Sequence, residues 1–304
     1  MRDEIYFAID GGGTKSRLQF RINGRISQIF IGESTNVFAC GATLAIMNLK
    51  ALLTNALNTL DLRNCDVVSG CFASAGCTRE NEIALFTKFF KEYFEKEVPV
   101  KLISDAEAFL LGAFDDKKGA VLISGTGSIC LSYNAEGKLV RSGGLGWRLG
   151  DEGSAVWIGT EAIKRAIKSG EKRDLPTKML PTLFKKLNIS SIDNAVTFLH
   201  SASLDKATLA SCASVVTEYG RAKDVLALDI LKKAALELAL LVKSVLMQNN
   251  FYSNQLALTG GVFEHDEIVK AEFISLVEKN LGKISIVEAN GGPLYGAMNV
   301  ALNR

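Results

Sequence analysis

Two stretches of this chain echo one another, and that echo constrains the fold more than any other feature. IYFAIDGGGTKS (residues 5–16) and AVLISGTGSI (residues 120–129) each end an apolar, strand-like run with glycine, threonine and a small hydroxyl residue, about 114 positions apart. Each also opens a three-stranded meander. In the first half the strands are expected at 4–9, 16–22 (Leu18, Phe20 and Ile22 on one face) and 26–31. In the second half they are expected at 119–124, 128–133 and 138–142.

Beyond each meander the pattern alternates between helical and strand spacing. The first half continues with a helix at 42–60, a strand at 66–72, a helix at 80–95, a strand at 99–103 and a short helix at about 105–114. The second continues with a helix from about 154, a mostly helical insertion at about 173–222 and a long helix at 223–248. It ends with a strand at 255–259, a helix at 264–280, a strand at 283–288 and a helix at 293–302. Both halves therefore read βββαβαβα, an α/β class with mainly parallel sheets covered by helices. The boundaries are 1–117 and 118–304, with the last helix free to pack back on the first domain.

Length and charge narrow the function. At 304 residues and 48% hydrophobic, the chain is long enough for two cores. Thirty-five basic against 33 acidic residues, scattered along the chain, provide no stripe for a nucleic-acid backbone. The acids in MRDEIYFAID do not suit a secretory signal, and Glu237 and Lys243 break the longest apolar segment. A soluble, cytoplasmic protein without membrane partners is expected. Cys40, Cys65, Cys71, Cys77, Cys130 and Cys212 show no C-x-x-C pair, and most sit in apolar surroundings, as buried reduced thiols do.

The glycine turns carry the chemistry. Asp10 through Lys15 lies between two strands, so it is not a Walker A loop. Gly125-Thr126-Gly127-Ser128 lacks the third glycine of a dinucleotide fingerprint. Both suit a phosphate tail. Glycines reaching positive φ would turn amides inward, with Gly12, Gly13 and Thr14 donating in the first turn and Gly125, Thr126 and Gly127 in the second. Lys15 adds charge there, although a surface role suits it equally. Asp10 ends a buried strand, where it can hold Mg²⁺ through water; a glycine-rich hairpin capped by Asp10 is the plainer alternative. Further glycine clusters run from Gly143 through Gly146 to Gly153, directly before a helix, and at Gly260-Gly261. Helix N-termini at those points attract an anion or a ribose hydroxyl, although simple turn chemistry explains each cluster as well.

Ser104 and Glu107 have capping-box spacing, which leaves Asp105 in the first turn of the short helix. There it either complements the helix dipole or serves as a proton acceptor for a hydroxyl attacking a γ-phosphoryl group.

With these residues in place the whole chain resembles the N-acetylglucosamine kinase group of the actin/hexokinase/heat-shock-ATPase superfamily. The wider group also holds the BadF/BadG/BcrA/BcrD-type ATPases. The resemblance rests on DGGGTKS at 10–16, Ser34-Thr35-Asn36, Ser104-Asp105-Ala106-Glu107-Ala108, ISGTGS at 123–128 and GDEGS at 150–154. It implies two ribonuclease-H-like domains with an interdomain cleft. The implied activity is ATP- and Mg²⁺-dependent phosphorylation of an amino sugar, N-acetylglucosamine first, at O6. By the same resemblance Asp105 is the base. Asn36, Asp105, Gly146 and Asp151 meet the sugar, Gly12, Gly13, Thr14 and Thr126 the phosphates, and Gly260 and Gly261 the adenosine. Leu145, Trp147 and Phe38 depart from the pattern of the animal members beside the sugar. N-acetylmuramic acid and glucosamine therefore stay open as substrates, as does a homodimer. An iron–sulphur activator of a CoA-ester reductase or dehydratase is the alternative of another class, and would need cysteines paired at a subunit surface.

Overall fold

The computed structural model describes residues 4–62, 66–95, 97–201, 204–250, 252–282 and 284–303, so Cys65 lies outside the described residues. The chain forms two compact units, Met1–Lys117 with Glu288–Arg304 and Lys118–Val287.

In the first unit β1 (Ile5–Gly11) pairs antiparallel with β2 (Lys15–Ile22), and β3 (Arg25–Ile26) and β4 (Phe30–Glu33) both pair with β2. The expected single strand at 26–31 is therefore two. Ser27 is the cause: its Oγ accepts from Phe20 N at 3.0 Å, and its carbonyl accepts from Gln19 Nε2 at 2.9 Å. These bonds interrupt the ladder. A short helix not expected from the pattern, α1 (Val37–Cys40), precedes α2 (Ala42–Thr59). Strand β5 (Val67–Ser74), helix α3 (Glu80–Phe94), strand β6 (Val100–Ile103) and helix α4 (Asp105–Ala113) follow. The strand order is β3-β2-β1-β5-β6, with β1, β5 and β6 parallel.

In the second unit β7 (Ala120–Ser124), β8 (Ser128–Tyr133) and β9 (Leu139–Gly143) form the antiparallel meander. Helix α5 (Ala155–Gly170) leads to the insertion, α6 (Met179–Leu187), α7 (Ile192–Leu199), α8 (Lys206–Ser211) and α9 (Ala213–Arg221). The long α10 (Val225–Gln248) is capped by Asp224, which accepts from Leu226 N and Ala227 N at 3.1 and 3.0 Å. Strand β10 (Gln255–Thr259), helices α11 (Gly261–His265) and α12 (Glu267–Leu281) and strand β11 (Ser285–Val287) complete the unit. The helix expected over 264–280 is thus split at Asp266, which has φ −121° and caps α12 through Ile268 N and Val269 N. The sheet order is β11-β10-β7-β8-β9. Counted from its meander, each sheet has the third, second and first strands followed by two parallel ones, so the echo in sequence is an echo in topology.

The first core is aromatic: Phe7, Phe20, Phe72, Phe86 and Phe90 are buried, and Phe72 and Phe86 lie 4.5 Å apart between ring centroids. The second is aliphatic, built on α5, α10 and the insertion helices. Among the described residues no helix is long and apolar enough to cross a membrane.

Helix α13 (Pro293–Ala301) lies in the first unit against α4. Glycines permit this approach. A Cβ on Gly296 would stand 1.9 Å from Ala108 O, and one on Gly112 would stand 2.4 Å from Gly292 O. The backbones are joined there by Gly291 N donating to Gly112 O at 2.8 Å. Gly296→Ala is therefore expected to lower stability by at least ~2 kcal/mol, because rigid backbone must move. Gly170→Ala, at an open helix end, should be neutral or stabilise by up to ~1 kcal/mol. Urea midpoints of the two variants decide the matter; a wild-type midpoint for Gly296→Ala would mean that the crossing is not tight.

Candidate active site

In the first unit, hydroxyls fasten the turn between β1 and β2. Ser74 Oγ donates to Gly11 O at 2.8 Å and Ser34 Oγ to Gly12 O at 2.9 Å, while Ser16 and Thr35 hydroxyls meet at 2.8 Å. Ser16, Thr35 and Ser74 are fully buried. Gly11 is dictated by space, since a Cβ would stand 2.5 Å from Thr35 Oγ1. None of Gly11, Gly12 and Gly13 lies in the left-handed region, and neither does Gly125 or Gly127. The expectation that positive φ shapes these turns is thus corrected: Gly11, Gly12 and Gly127 are required because a side chain would collide, while Gly13 and Gly125 have room for one. Gly12 N is also taken by Lys15 O at 3.2 Å. The donors left open are the amides of Gly13 and Thr14 and the Thr14 hydroxyl, with the exposed Lys15 beside them.

Asp10 sits opposite Arg17 in the β1–β2 register, with Arg17 Nε 3.3 Å from Asp10 Oδ2. Burial pushes its carboxyl up; Arg17 opposes this, and the charge of Asp105 adds to it. The two carboxylates thus share one electrostatic environment. Asp105 opens α4 as expected from the capping pattern. Ser104 Oγ accepts from Glu107 N at 3.0 Å, and Asp105 Oδ1 accepts from Ala106 N at 3.0 Å, with the side chain half-buried.

Asn36 is the N-cap of α1, its Oδ1 accepting from Phe38 N at 2.9 Å. Its Nδ2 makes no hydrogen bond among the described residues and remains a donor for a ligand. The segment from Ser34 to Asn36 is fixed in turn by Asn48 Nδ2, which donates to Ser34 O at 2.7 Å.

The second unit repeats the device. Ser124 Oγ donates to Gly153 O at 3.0 Å and Ser128 Oγ to Glu152 O at 2.7 Å. Thr126 is exposed at the tip of the turn. The start of α5 is bound to this turn, with Ala155 N donating to Gly125 O at 2.9 Å and Val156 N to Thr126 O at 3.4 Å. Those amides are spent on the protein, so this helix N-terminus organises the turn and does not offer the open anion site that the sequence suggested. At Gly260 the close approach is real. It has φ +107°, and a Cβ would stand 2.3 Å from Ser124 O. The amides of Gly261 and Val262 beyond it find no backbone acceptor among the described residues.

The loop from Gly143 to Gly153 holds five residues in the left-handed region, Gly143, Gly144, Gly146, Asp151 and Gly153. Gly146 accepts through its carbonyl from Leu149 N and Gly150 N at 3.0 and 2.9 Å, and a Cβ there would meet open space. Leu145 and Leu149 are exposed, and Arg148 stands 4.9 Å over the Trp147 ring. Asp151 is buried against the second turn. Its carboxylate would lie 2.8 Å from a Cβ on Gly127 and accepts from Ser128 N at 3.4 Å. Burial raises its carboxyl above the usual range, with Ser128 N and Lys206 opposing. That contact with Gly127 carries no signal in the sequence.

Among the described cysteines, Cys71, Cys77, Cys130 and Cys212 are buried and Cys40 is half-buried, all as free thiols. Burial pushes the four buried thiols up, to about 12 for Cys77 and about 11 for Cys212. Cluster-binding thiolates are the reverse, exposed and readily ionised.

The position of Asp10 has a testable consequence. Because burial raises its carboxyl, the native state holds that proton more tightly than the unfolded chain does. Its contribution favours the fold below the unfolded pKa and is lost as pH rises through the folded value. Asp10→Asn is therefore expected to keep or raise the thermal midpoint near pH 8, with the gap to wild type closing toward pH 4. Activity should nonetheless fall by at least ~10²-fold. A variant clearly less stable than wild type near pH 8 would show that the Arg17 pair outweighs burial.

Known proteins resemble this chain along its whole length. A curated relative, N-acetylmuramic acid/N-acetylglucosamine kinase of Clostridium acetobutylicum, is 31% identical over 96% of this chain and 96% of its own. The N-acetyl-D-glucosamine kinase of Dictyostelium discoideum is 27% identical over 100% of this chain and 99% of its own. Among solved structures, a candidate N-acetylglucosamine kinase from Chromobacterium violaceum matches with a TM-score of 0.76 at 19% identity, covering 99% of both chains. A ROK-family glucokinase from Streptomyces griseus matches with a TM-score of 0.56 at 16% identity, covering 99% of this chain and 100% of its own. At these identities the structures speak for the fold, an actin-like ATPase fold in each unit. The model of the BadF/BadG/BcrA/BcrD ATPase family matches residues 8–301, and this chain belongs to that family.

Proposed function

We propose that this protein is an ATP-dependent amino-sugar kinase that transfers the γ-phosphoryl group of ATP to O6 of N-acetylglucosamine. N-acetylmuramic acid is a second acceptor, in keeping with the name of the Clostridium relative. Glucosamine is a third candidate, suggested by a Vibrio cholerae relative, glucosamine kinase GspK, at 25% identity. The observation that carries the reading is Asp105. It is a half-buried carboxylate with one oxygen held by Ala106 N, in the same unit as the Gly13–Thr14 amides and electrostatically linked to Asp10.

In this reading Asp105 accepts the proton from the sugar hydroxyl while that oxygen attacks the γ-phosphorus. The bond from γ-phosphorus to the β–γ bridging oxygen breaks, and ADP leaves. The N-terminus of α4 favours the negative charge that such a base must carry beforehand. Gly13, Thr14 and Lys15 serve the phosphates from the first turn, and Gly125, Thr126 and Gly127 from the second. Gly260 and Gly261 serve the adenosine; Asn36, Gly146 and Asp151 serve the sugar. Catalysis of this kind rests on alignment and charge neutralisation more than on covalent chemistry.

Mg²⁺ fits the residues present as a companion of the nucleotide. Among the described residues no group of three or more His, Cys, Asp or Glu gathers to cage a metal, and Asp10 is a single carboxylate shared with Arg17. Such a site suits an ion that keeps most of its water and takes phosphate oxygens, with Asp10 holding it through a water. When bound, the ion supplies neutralisation of phosphate charge.

The test is a coupled ADP-release assay with Mg-ATP over N-acetylglucosamine, N-acetylmuramic acid, glucosamine, N-acetylmannosamine and glucose. The first is expected to be turned over. Asp105→Asn should still bind ATP and sugar yet lose about 10²–10⁴-fold in kcat. Wild-type turnover in that variant would reduce Asp105 to a helix-start residue, and no turnover of any sugar would sink the reading.

A further inference from the structure

A cation with no ion pair among the described residues stands over Phe38, two residues from Asn36. Arg79 is exposed at the start of α3, and its guanidinium carbon lies 4.6 Å from the centroid of the Phe38 ring. Among the described residues no carboxylate stands within ion-pair distance of it. The platform beneath it is built into the fold. Gly76 has φ +79°, and a Cβ there would fall 1.8 Å from Phe38 Cε2, so the ring rests directly on the Gly76 backbone. Arg79 N donates to Gly76 O at 3.1 Å and closes that turn.

This loop, residues 75–79, is anchored on two sides to residues already implicated. Cys77 Sγ donates to Ile103 O, two residues before Asp105. Phe38 N donates to Asn36 Oδ1. The contacts therefore run from Ile103, just before Asp105, through the loop and Phe38 to Asn36, with Arg79 standing over the Phe38 ring. An arginine stacked on an aromatic ring keeps its edge donors open, and their fork matches a carboxylate with two parallel hydrogen bonds.

We propose that Arg79, held on Phe38, is a specificity-determining residue that receives an acidic substituent of the acceptor sugar. That substituent is the carboxylate on the lactyl ether which distinguishes N-acetylmuramic acid from N-acetylglucosamine. The inference rests on the amino-sugar kinase reading above and adds to it the substrate class. The carboxylate does not react, so the contact serves ground state and transition state alike and shows in KM more than in kcat.

The experiment measures kcat and KM for both sugars in wild type, Arg79→Gln and Arg79→Lys. The ratio of kcat/KM for N-acetylmuramic acid to that for N-acetylglucosamine should fall about 10–100-fold in Arg79→Gln, through KM. Arg79→Lys should lie between, because an ammonium keeps the charge and loses the fork. Raising salt should weaken the wild-type preference and leave that of Arg79→Gln unmoved. No side-chain cap of α3 is lost in these variants, and unchanged thermal midpoints would verify their folding. An unchanged ratio in Arg79→Gln overturns the assignment, as does a wild type that phosphorylates N-acetylglucosamine but not N-acetylmuramic acid. Both results leave the kinase reading intact. A wild type inert toward every amino sugar removes that reading and this inference together.

Discussion

Hydroxyl groups that fasten glycine turns to neighbouring backbone are the constraint on which the rest of this structure depends. A glycine turn has no side chains of its own to hold it and pays the largest conformational entropy of any residue type on ordering. In the first unit Ser34 and Ser74 grip the carbonyls of Gly12 and Gly11; in the second Ser124 and Ser128 grip those of Gly153 and Glu152. All four serines are buried, so their bonds form in a medium where an unmade bond is costly. The turns are thereby fixed before any ligand arrives. Donors that are already aligned stabilise developing charge without reorganising, which is the largest single source of catalysis at sites of this chemistry.

How much of this was legible in the sequence depended on distance along the chain. The doubled strand–glycine–hydroxyl words gave the two meanders, and Ser104 with Glu107 gave the start of α4, because each signal is complete within a few residues. The destination of α13 was left open by its own pattern, since what fixes it is Gly296 meeting Ala108 O almost two hundred positions away. Helix α1 escaped because four residues cannot display a helical period. The reason for glycine at positions 11 and 127 lies outside the local pattern for a related cause. Positive φ is a local property that sequence suggests, whereas the actual demands, Thr35 beside Gly11 and Asp151 beside Gly127, come from remote segments. Phe38 under Arg79 has no sequence signature at all, because the contact depends on how the loop after β5 folds.

Several groups at the candidate site are held where stability alone would not put them. Asp10 and Asp151 are both buried carboxylates whose neutral forms burial favours, and Asp151 also occupies the left-handed region. A fold optimised for stability would place neutral residues at these positions, and glycine or asparagine at the second. Local rules broken at a few places within an otherwise consistent sequence are expected where a site must carry charge in a fixed position. In each unit one such carboxylate lies beside a glycine turn, Asp10 in the first and Asp151 in the second.

The division of labour within the first unit bears on how substrate choice can change while the chemistry stays. Asp10 lies near the end of the central strand β1 and Asp105 begins α4 just after the edge strand β6, so both sit at the ends of parallel strands packed on the buried aromatic core. Asn36, Phe38 and Arg79 are carried instead by a one-turn helix and a loop, held by few bonds and largely exposed. A substitution at Phe38 or Arg79 disturbs little of the core, whereas a shift at Asp10 or Asp105 must move a strand. Asp105 and the glycine turns are therefore rigid by construction, and the surface that in the proposed reading would meet a sugar substituent is the part free to vary. If the proposed roles hold, acceptor choice can change through a ring and a cation without moving Asp10 or Asp105.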